Sequence, residues 1–130
     1  MPLERKQYPD IAPAGPTYYR AVIAGNMMFI SGCTARGTDS QGKSIMEQLD
    51  VTLGRLVAVA EAEGAGPGSF AKITCFVTSI ADYQADRDKL EGLFAKHFQE
   101  QYPANSLIEI TALAEPGLDV EIEAVVMLDS

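Results

Sequence analysis

The segment 119–128 constrains the fold of this chain more than any other stretch of its sequence. Apolar and other residues alternate through Val120-Glu121-Ile122-Glu123-Ala124-Val125. This period of two predicts a strand with one buried face and a second face that carries Glu121 and Glu123. One strand cannot bury its apolar face alone, so the rest of the chain must supply neighbouring strands and a covering layer.

The N-terminal part of the sheet is predicted to be a hairpin. Tyr18–Ala24 and Met27–Ser31 are apolar runs, and the Gly25-Asn26 pair between them suits a tight turn. Residues 1–17 precede this hairpin and contain four prolines. Because proline provides no backbone N–H for a strand ladder, we expect an extended, irregular lead-in there.

Two helices are predicted between the strands. Ile45–Glu63 carries apolar residues at the spacing of one helix face, and Gly64 follows it. The second helix begins near Asp82, which suits its N-cap. The remaining segments are two strands and a turn, namely Ile73–Ser79, Ser106–Ala112 and Pro116-Gly117. The order ββαβαββ, with hairpins at both ends, predicts an α+β domain over residues 1–130, in which one mixed sheet carries both helices on one face.

The second face of this predicted sheet has no helices to cover it. An apolar sheet face without a cover usually contacts a partner. For a chain of 130 residues, the simplest partner is another copy of itself. We therefore expect the protein to self-associate.

The composition excludes several classes of partner and site. The chain has 10 Lys and Arg against 18 Asp and Glu, a formal net charge of −8. This balance argues against nucleic acid and anionic membranes, because phosphate binding needs clustered basic residues. The chain has two cysteines, Cys33 and Cys75, and one histidine, His97. Their spacing along the sequence matches no known metal-binding motif, so no metal site is expected. The chain shows no leader pattern and no membrane-length apolar run, which predicts a cytoplasmic protein.

Several short motifs occur together in one characteristic order. They are Gly15-Pro16 with Tyr18, Gly25-Asn26-Met27 leading to Ile30-Ser31-Gly32, Glu47-Gln48 with Leu53 and Leu56, Ala62-Glu63-Gly64-Ala65, Pro103-Ala104-Asn105-Ser106, and Val120-Glu121-Ile122-Glu123-Ala124. Each motif alone is weakly specific. The ordered set, which runs from about residue 12 to the C-terminus, resembles the YjgF/RidA family of reactive-intermediate deaminases.

This resemblance implies both an assembly and an activity. It implies a chorismate-mutase-like subunit in a homotrimer around a central barrel, with a small-molecule site in each cleft between subunits. Typical members hydrolyse reactive enamines and imines, such as 2-aminoacrylate, to 2-keto acids and ammonia without a cofactor or metal. Some members carry an older endoribonuclease label, but the acidic charge and the lack of a histidine pair argue against that activity here.

The resemblance also assigns roles to three residues. Glu121 aligns with the glutamate that holds and activates the attacking water, and imine hydrolysis needs such an acid/base. Tyr18 aligns with the tyrosine that walls the pocket, and Ser31 with a hydroxyl near the ligand. Each residue also has a structural interpretation: a solvated strand edge or a salt bridge in the trimer for Glu121, packing for Tyr18 and backbone hydrogen bonding for Ser31. For Glu123 the structural interpretation is favoured.

Asn105 marks a departure from the family pattern. The family has an arginine there that binds the substrate carboxylate, whereas an amide offers only a neutral hydrogen bond. Losing such a contact costs about 2–5 kcal/mol, so the chain resembles an arginine-lacking branch. Two arginines are candidate replacements for the missing one. Arg20 lies two residues from Tyr18 on the predicted strand, and Arg87 lies near the start of the second helix. For each of them, a side chain that faces solvent is more common than one that binds a substrate anion.

Two functions of different classes remain open. The first is a hydrolytic deaminase of a small enamine, imine or related catabolic intermediate that differs from the usual 2-imino acids. The second is a trimer that binds a small metabolite or a partner protein without turnover. Glu121, Tyr18 and Ser31 favour the enzyme, and Asn105 favours the binding module. Nucleophilic catalysis by Cys33 is not predicted, since no base is visible near it in the sequence.

Overall fold

The computed structural model describes residues 2–129 as one sheet with helices packed against it. Its strands are β1 (Leu3–Lys6), β2 (Ala21–Ala24), β3 (Met27–Cys33), β4 (Phe70–Val77), β5 (Ala104–Glu109) and β6 (Val120–Met127). Its α-helices are α1 (Ile45–Ala62), α2 (Ile80–Gln84) and α3 (Arg87–Phe98), and a 3₁₀ turn covers Pro67–Ser69. No helix within residues 2–129 is both long enough and apolar enough to cross a membrane.

The strand order is β1-β2-β3-β6-β4-β5. All neighbouring strands are antiparallel except β4 and β5, which are parallel and are joined through α2 and α3. The prediction of a mixed sheet is therefore confirmed. The prediction of a hairpin at the C-terminal end was wrong, because the connection over residues 110–119 carries the chain past β4 and places β6 at the centre of the sheet.

The helices cover one face of the sheet, as the sequence predicts. Ser44 caps α1 by accepting a hydrogen bond from the backbone N–H of Glu47 at 3.2 Å. After the helix, Gly64 adopts a φ of 82°, a left-handed conformation that suits glycine. The apolar side of α1, which includes the fully buried Leu49, Leu53 and Leu56, packs over β3 and β6. On β6 the residues that face this layer are Val120, Ile122, Ala124 and Val126, all buried.

The opposite face of the sheet is open in the single chain. Large apolar side chains on it remain exposed: Met27, Phe29 and Met127 have relative exposures of 37%, 43% and 39%. Phe29 pairs with Val125 across β3 and β6, and Met27 pairs with Met127. The predicted uncovered apolar face is therefore present.

The lead-in over residues 1–17 is more regular than predicted. Leu3–Lys6 forms β1, which pairs antiparallel with the outer edge of β2. The four residues of this strand precede Pro9, so proline does not interrupt the ladder. Further along, the Tyr8 hydroxyl donates to Glu63 Oε2 at 2.7 Å and ties the lead-in to the end of α1. Tyr18, predicted as the first strand residue, lies instead in the bend before β2.

The second helical region divides into two helices, and Asp82 does not cap the longer one. Ser79 caps α2 by accepting from the backbone N–H of Asp82 at 3.1 Å. Asp86 caps α3 by accepting from the N–H of Lys89 at 3.1 Å. Two polar residues in succession can each accept from a helix N-terminus, which explains why the sequence alone did not fix the boundary.

Candidate functional site

A small cavity lies where the lead-in, the end of β3 and the start of β6 meet. Its volume is about 40 Å³, room for no more than a few water molecules. Its charged and polar lining consists of Tyr18, Arg20, Cys33, Thr34, Arg36, Arg55 and Glu121. The fold thus brings together three of the residues that the sequence singled out, namely Tyr18, Arg20 and Glu121.

A β-bulge shapes the floor of this cavity. Ile30 pairs with Ala124 and Cys33 with Ile122, so two residues of β3 stand opposite Glu123 alone. One of those two residues is Gly32. A Cβ atom added to it would lie 2.5 Å from Glu121 Cδ and 2.7 Å from Oε2. The Glu121 carboxyl group therefore occupies the space that the missing side chain of Gly32 leaves.

The Glu121 carboxyl group has a raised pKa. The main cause is burial, which disfavours the charged form, and the like charge of Glu123 acts in the same direction. The positive charge of Arg20 opposes both effects. A glutamate whose pKa moves towards neutrality can both accept and return a proton, which suits a general acid/base.

Arg20 is buried, and its donors are used within the chain. Its Nε donates to Ala12 O at 3.0 Å, and its Nη2 donates to Pro13 O at 3.0 Å. Its Nη1 donates to Ser31 O at 3.1 Å and to Gly32 O at 2.9 Å. The guanidinium group thus joins the lead-in to the bulge. The prediction of a solvent-facing arginine was wrong for Arg20, which has a relative exposure of 4% and donates to four backbone carbonyls instead of to solvent.

Tyr18 forms one wall of the cavity. Its ring packs on Gly15, where an added Cβ would lie 2.9 Å from Tyr18 Cε1. Arg20 Cζ lies 5.6 Å from the centroid of the ring, a cation–π arrangement. The ring is held from two sides and is still 39% exposed. An exposed, fixed aromatic surface suits stacking on a planar ligand.

Ser31 lies beside the Glu121 cavity but does not line it. Its Oγ donates to Tyr19 O at 2.8 Å, as expected from its structural interpretation. It lines a second, shallower cavity of about 280 Å³ on the open face of the sheet, together with Phe29, Lys72 and Glu123. Ser31 and Glu121 therefore belong to adjacent cavities in the single chain.

Asn105 and Arg87 do not line the Glu121 cavity of this chain. Asn105 is exposed on the edge strand β5 and lines a groove of about 440 Å³ with Tyr83, Phe94 and Leu107. This groove shares no lining residue with the Glu121 cavity. Arg87 is exposed at the first residue of α3.

Two cavity arginines, Arg36 and Arg55, were missed by the sequence analysis. Arg36 follows β3 in a polar loop, and Arg55 lies on α1 beside its apolar stripe. Arg55 Nη1 donates to Thr34 O at 2.7 Å and to Arg36 O at 3.0 Å, which brings the loop to the helix. The only sequence signal was a cation next to buried helix positions, and many surface arginines share that signal.

Cys33 is buried in the wall of the same cavity. Burial raises the pKa of its thiol, and the charges of Arg20 and Arg55 oppose that effect only in part. His97 contacts Asp50, with 2.6 Å between His97 Nε2 and Asp50 Oδ1, and is not available as a base for the thiol. A buried thiol whose pKa is raised forms the nucleophilic thiolate less readily.

Comparison with known proteins identifies the family. The sequence profile of the family described as Endoribonuclease L-PSP matches residues 9–128. The chain belongs to this family. Among its relatives, the RutC family protein y4sK of Sinorhizobium fredii is 33% identical over 118 residues, which are 88% of each chain. The chloroplastic Reactive Intermediate Deaminase A of Arabidopsis thaliana is 29% identical over 122 residues, which are 90% of this chain and 62% of that protein.

Solved structures of the endoribonuclease L-PSP family support the same assignment. A protein of this family from Entamoeba histolytica superimposes with a TM-score of 0.83 at 28% identity, covering 98% of this chain and 100% of that one. The resemblance to YjgF/RidA proteins and the α+β fold are both confirmed. The assignment to an arginine-lacking branch stays a prediction that rests on Asn105.

Proposed function

We propose that this chain is a hydrolytic deaminase of a small reactive enamine or imine, with its sites between the subunits of a cytoplasmic homotrimer. The observation that carries the proposal is the Glu121 carboxyl group, which has a raised pKa and lies over Gly32 in a cavity walled by Tyr18. The deaminase name of a relative that matches 90% of this chain supports the same activity.

In the proposed reaction, ionised Glu121 takes a proton from a water molecule as the water oxygen attacks the imine carbon. The π electrons of the C=N bond move to nitrogen, which takes that proton from Glu121 and gives a carbinolamine. Glu121 then takes the hydroxyl proton of the carbinolamine and passes it to the nitrogen as the C–N bond breaks, and a carbonyl compound and ammonia leave. An enamine enters the same path after a proton moves from its nitrogen to its terminal carbon. The sum is one imine and one water giving one carbonyl compound and one ammonia, with no cofactor.

Three observations support a site between subunits. The Glu121 cavity of about 40 Å³ is far smaller than the ~300–1,000 Å³ typical of small-molecule sites. The open face of the sheet exposes Phe29 and its apolar neighbours, which suits burial against other copies. The Asn105 groove is separate from Glu121 in one chain, so a neighbouring subunit is needed to combine them.

Asn105 limits which substrates we propose. Without a charged group at that position, a 2-imino acid cannot be held as the family arginine holds it. We therefore expect slow hydrolysis of 2-iminopropionate, generated in place by an amino-acid oxidase, compared with an arginine-bearing relative. Equal rates would show that this substrate does not depend on position 105.

Glu121→Gln tests the proposed activity, because it keeps the shape of the side chain and removes its basicity. With a panel of imines generated by amine and amino-acid oxidases, we expect a loss of about 10²–10⁴-fold in the turnover of any imine that the wild type hydrolyses. Unchanged turnover would remove Glu121 from the mechanism. If the wild type accelerates none of the imines, the second candidate, a binding trimer without turnover, is favoured, as the neutral Asn105 already suggests.

A further inference from the structure

Positive charge is concentrated around the Glu121 cavity although the chain as a whole is acidic. The sequence has five arginines and a formal charge of −8, yet Arg20, Arg36 and Arg55 all line this one cavity. Against them stand Glu121 in the lining and Glu115, whose Oε2 lies 3.8 Å from Arg36 Nε. The cavity therefore has an excess of cationic groups, which favours an anion.

The donors that remain available belong to Arg55 and Arg36. Arg55 uses Nη1 for its two hydrogen bonds to backbone carbonyls, and its Nε and Nη2 make none within residues 2–129. Arg36 uses Nη2 for Pro13 O at 3.0 Å. A guanidinium group with a free pair of N–H donors matches the two oxygens of a carboxylate.

The charge of Arg55 also lacks compensation within the described part of the chain. Its pKa is lowered mainly by burial, and the charges of Arg20 and Arg36 lower it further. The nearby Cys33 thiol is the one group that acts in the opposite direction, and its own pKa is raised. A half-buried cation among other cations gains from a bound anion, since burial also reduces screening by salt.

We propose that Arg55, assisted by Arg36, binds the carboxylate of the substrate from within the same subunit as Glu121. This inference rests on the proposed deaminase function and names its substrate class, a small imine or enamine that carries a carboxylate. The anion is neutralised at Arg55 while the C=N bond lies at Glu121. The carboxylate is then held from α1 and not from position 105, so the ligand lies in a different pose from the family's, which agrees with the slow hydrolysis of 2-iminopropionate expected from the neutral Asn105.

Binding of pyruvate, a carboxylate with a carbonyl in place of the imine, tests the inference without requiring turnover. We expect calorimetry to show that the wild type binds pyruvate at least roughly tenfold more tightly than its neutral amide, pyruvamide, since charged hydrogen bonds contribute about 1.5–3 kcal/mol. Arg55→Gln should weaken pyruvate binding roughly tenfold to a hundredfold and leave pyruvamide unchanged. Arg5→Gln, an equal change of charge on the exposed β1, is the matched control and should have no effect.

A second variant covers the possibility that Arg55→Gln disturbs the loop that Arg55 supports. Arg36→Gln removes the neighbouring donor and should weaken pyruvate binding about threefold or more. Melting temperature and mass are measured for each variant, and a misfolded Arg55→Gln leaves the decision to Arg36→Gln. Unchanged pyruvate affinity in every folded variant would overturn the inference, as would a loss confined to Arg87→Gln. Tighter binding of inorganic phosphate than of pyruvate would overturn the carboxylate class.

The outcomes separate this inference from the proposed function. A wild-type protein that binds pyruvate through Arg55 but hydrolyses no imine would refute the deaminase and keep the anion site. A protein that hydrolyses an imine with the same KM and kcat after Arg55→Gln would keep the deaminase and refute the anion site.

Discussion

The two faces of β6 differ in what surrounds them, although they belong to the same eight residues. The covered face consists of Val120, Ile122, Ala124 and Val126, all buried beneath the helices. The open face consists of Glu121, Glu123, Val125 and Met127, which are half-buried or exposed. Neighbouring residues on one strand can therefore serve stability and chemistry separately, because successive side chains point to opposite sides of the sheet.

The open face is itself divided along the strand. Its C-terminal part is apolar, with Val125 opposite Phe29 and Met127 opposite Met27. Its N-terminal part carries the two glutamates beside the bulge. In the function proposed above, the apolar part is the contact with other subunits and the acidic part belongs to the site. The comparison of the faces can be tested by changing one residue on each.

The largest effect is expected on the covered face. Ile122→Ala should lower the free energy of unfolding by about 2–5 kcal/mol, because Ile122 is fully buried and its loss leaves a cavity. Urea denaturation followed by circular dichroism measures the change. Val125→Ala on the other side of the same strand is the control and should be much milder in the dissociated chain. Equal losses would contradict the difference between the faces.

Phe29→Asp should abolish assembly and leave the subunit folded. A carboxylate at the centre of the apolar part would have to lose its hydration on contact with another subunit. We expect light scattering to give about three times the 14.0 kDa chain mass for the wild type and a single chain mass for the variant. A wild type that is already monomeric at micromolar concentration would refute the trimer and the role given to this face.

Gly32→Ala should move the carboxyl group of Glu121 with little effect on stability. The new Cβ would overlap Glu121 Cδ, and the flexible side chain can turn outward to relieve the overlap. Once in water, the carboxyl group should have a pKa closer to the ordinary value, as measured by NMR titration. Gly92→Ala on α3, where an added Cβ meets nothing within 4 Å, is the control. A pKa that stays raised in Gly32→Ala would show that the bulge does not position Glu121.

Glu123→Gln should lower the pKa of Glu121 by a smaller amount. The like charge of Glu123 is the second cause of the raised pKa, after burial. Its removal makes ionisation of Glu121 easier, so the acidic limb of the pH–rate profile should move to lower pH. The shift should be absent in Glu4→Gln, a change of equal charge on β1. A shift to higher pH would mean that Glu123 acts on Glu121 other than through its charge.

The smallest effect concerns the stability contribution of Glu121. Its folded-state pKa is raised, so its contribution is present below the unfolded-state pKa and is lost as pH rises through the folded value. The glutamine of Glu121→Gln cannot ionise, so the free energy of unfolding of the variant at pH 7 should be slightly higher than that of the wild type. The difference should be less than about 1 kcal/mol, since the group is half-exposed. The difference should vanish below the ordinary glutamate pKa of about 4.3. A variant that melts lower than the wild type at pH 7 would indicate a stabilising contact of the carboxylate.

The sequence predicted those features that depend on local pattern. Alternation placed Ile122 and Glu121 on opposite faces, and Gly25-Asn26 predicted the hairpin that the structure contains. The position of β6 at the centre of the sheet was not predictable, because strand order depends on contacts between distant segments. For the same reason the pairing of Arg36 with Arg55 was missed, since only the folded chain brings the loop to the helix.

The hydrogen bonds of Arg20 have a consequence for the order in which the subunit folds. The β2–β3 hairpin is local and can form in about 1–10 μs. The guanidinium group, however, gives up its hydration fully only when the carbonyls of 12–13 and 31–32 surround it together. We therefore expect the lead-in to dock late and the Glu121 cavity to be completed with it. We also expect that a newly synthesised chain forms this cavity only after its core, and that local opening exposes the cavity first.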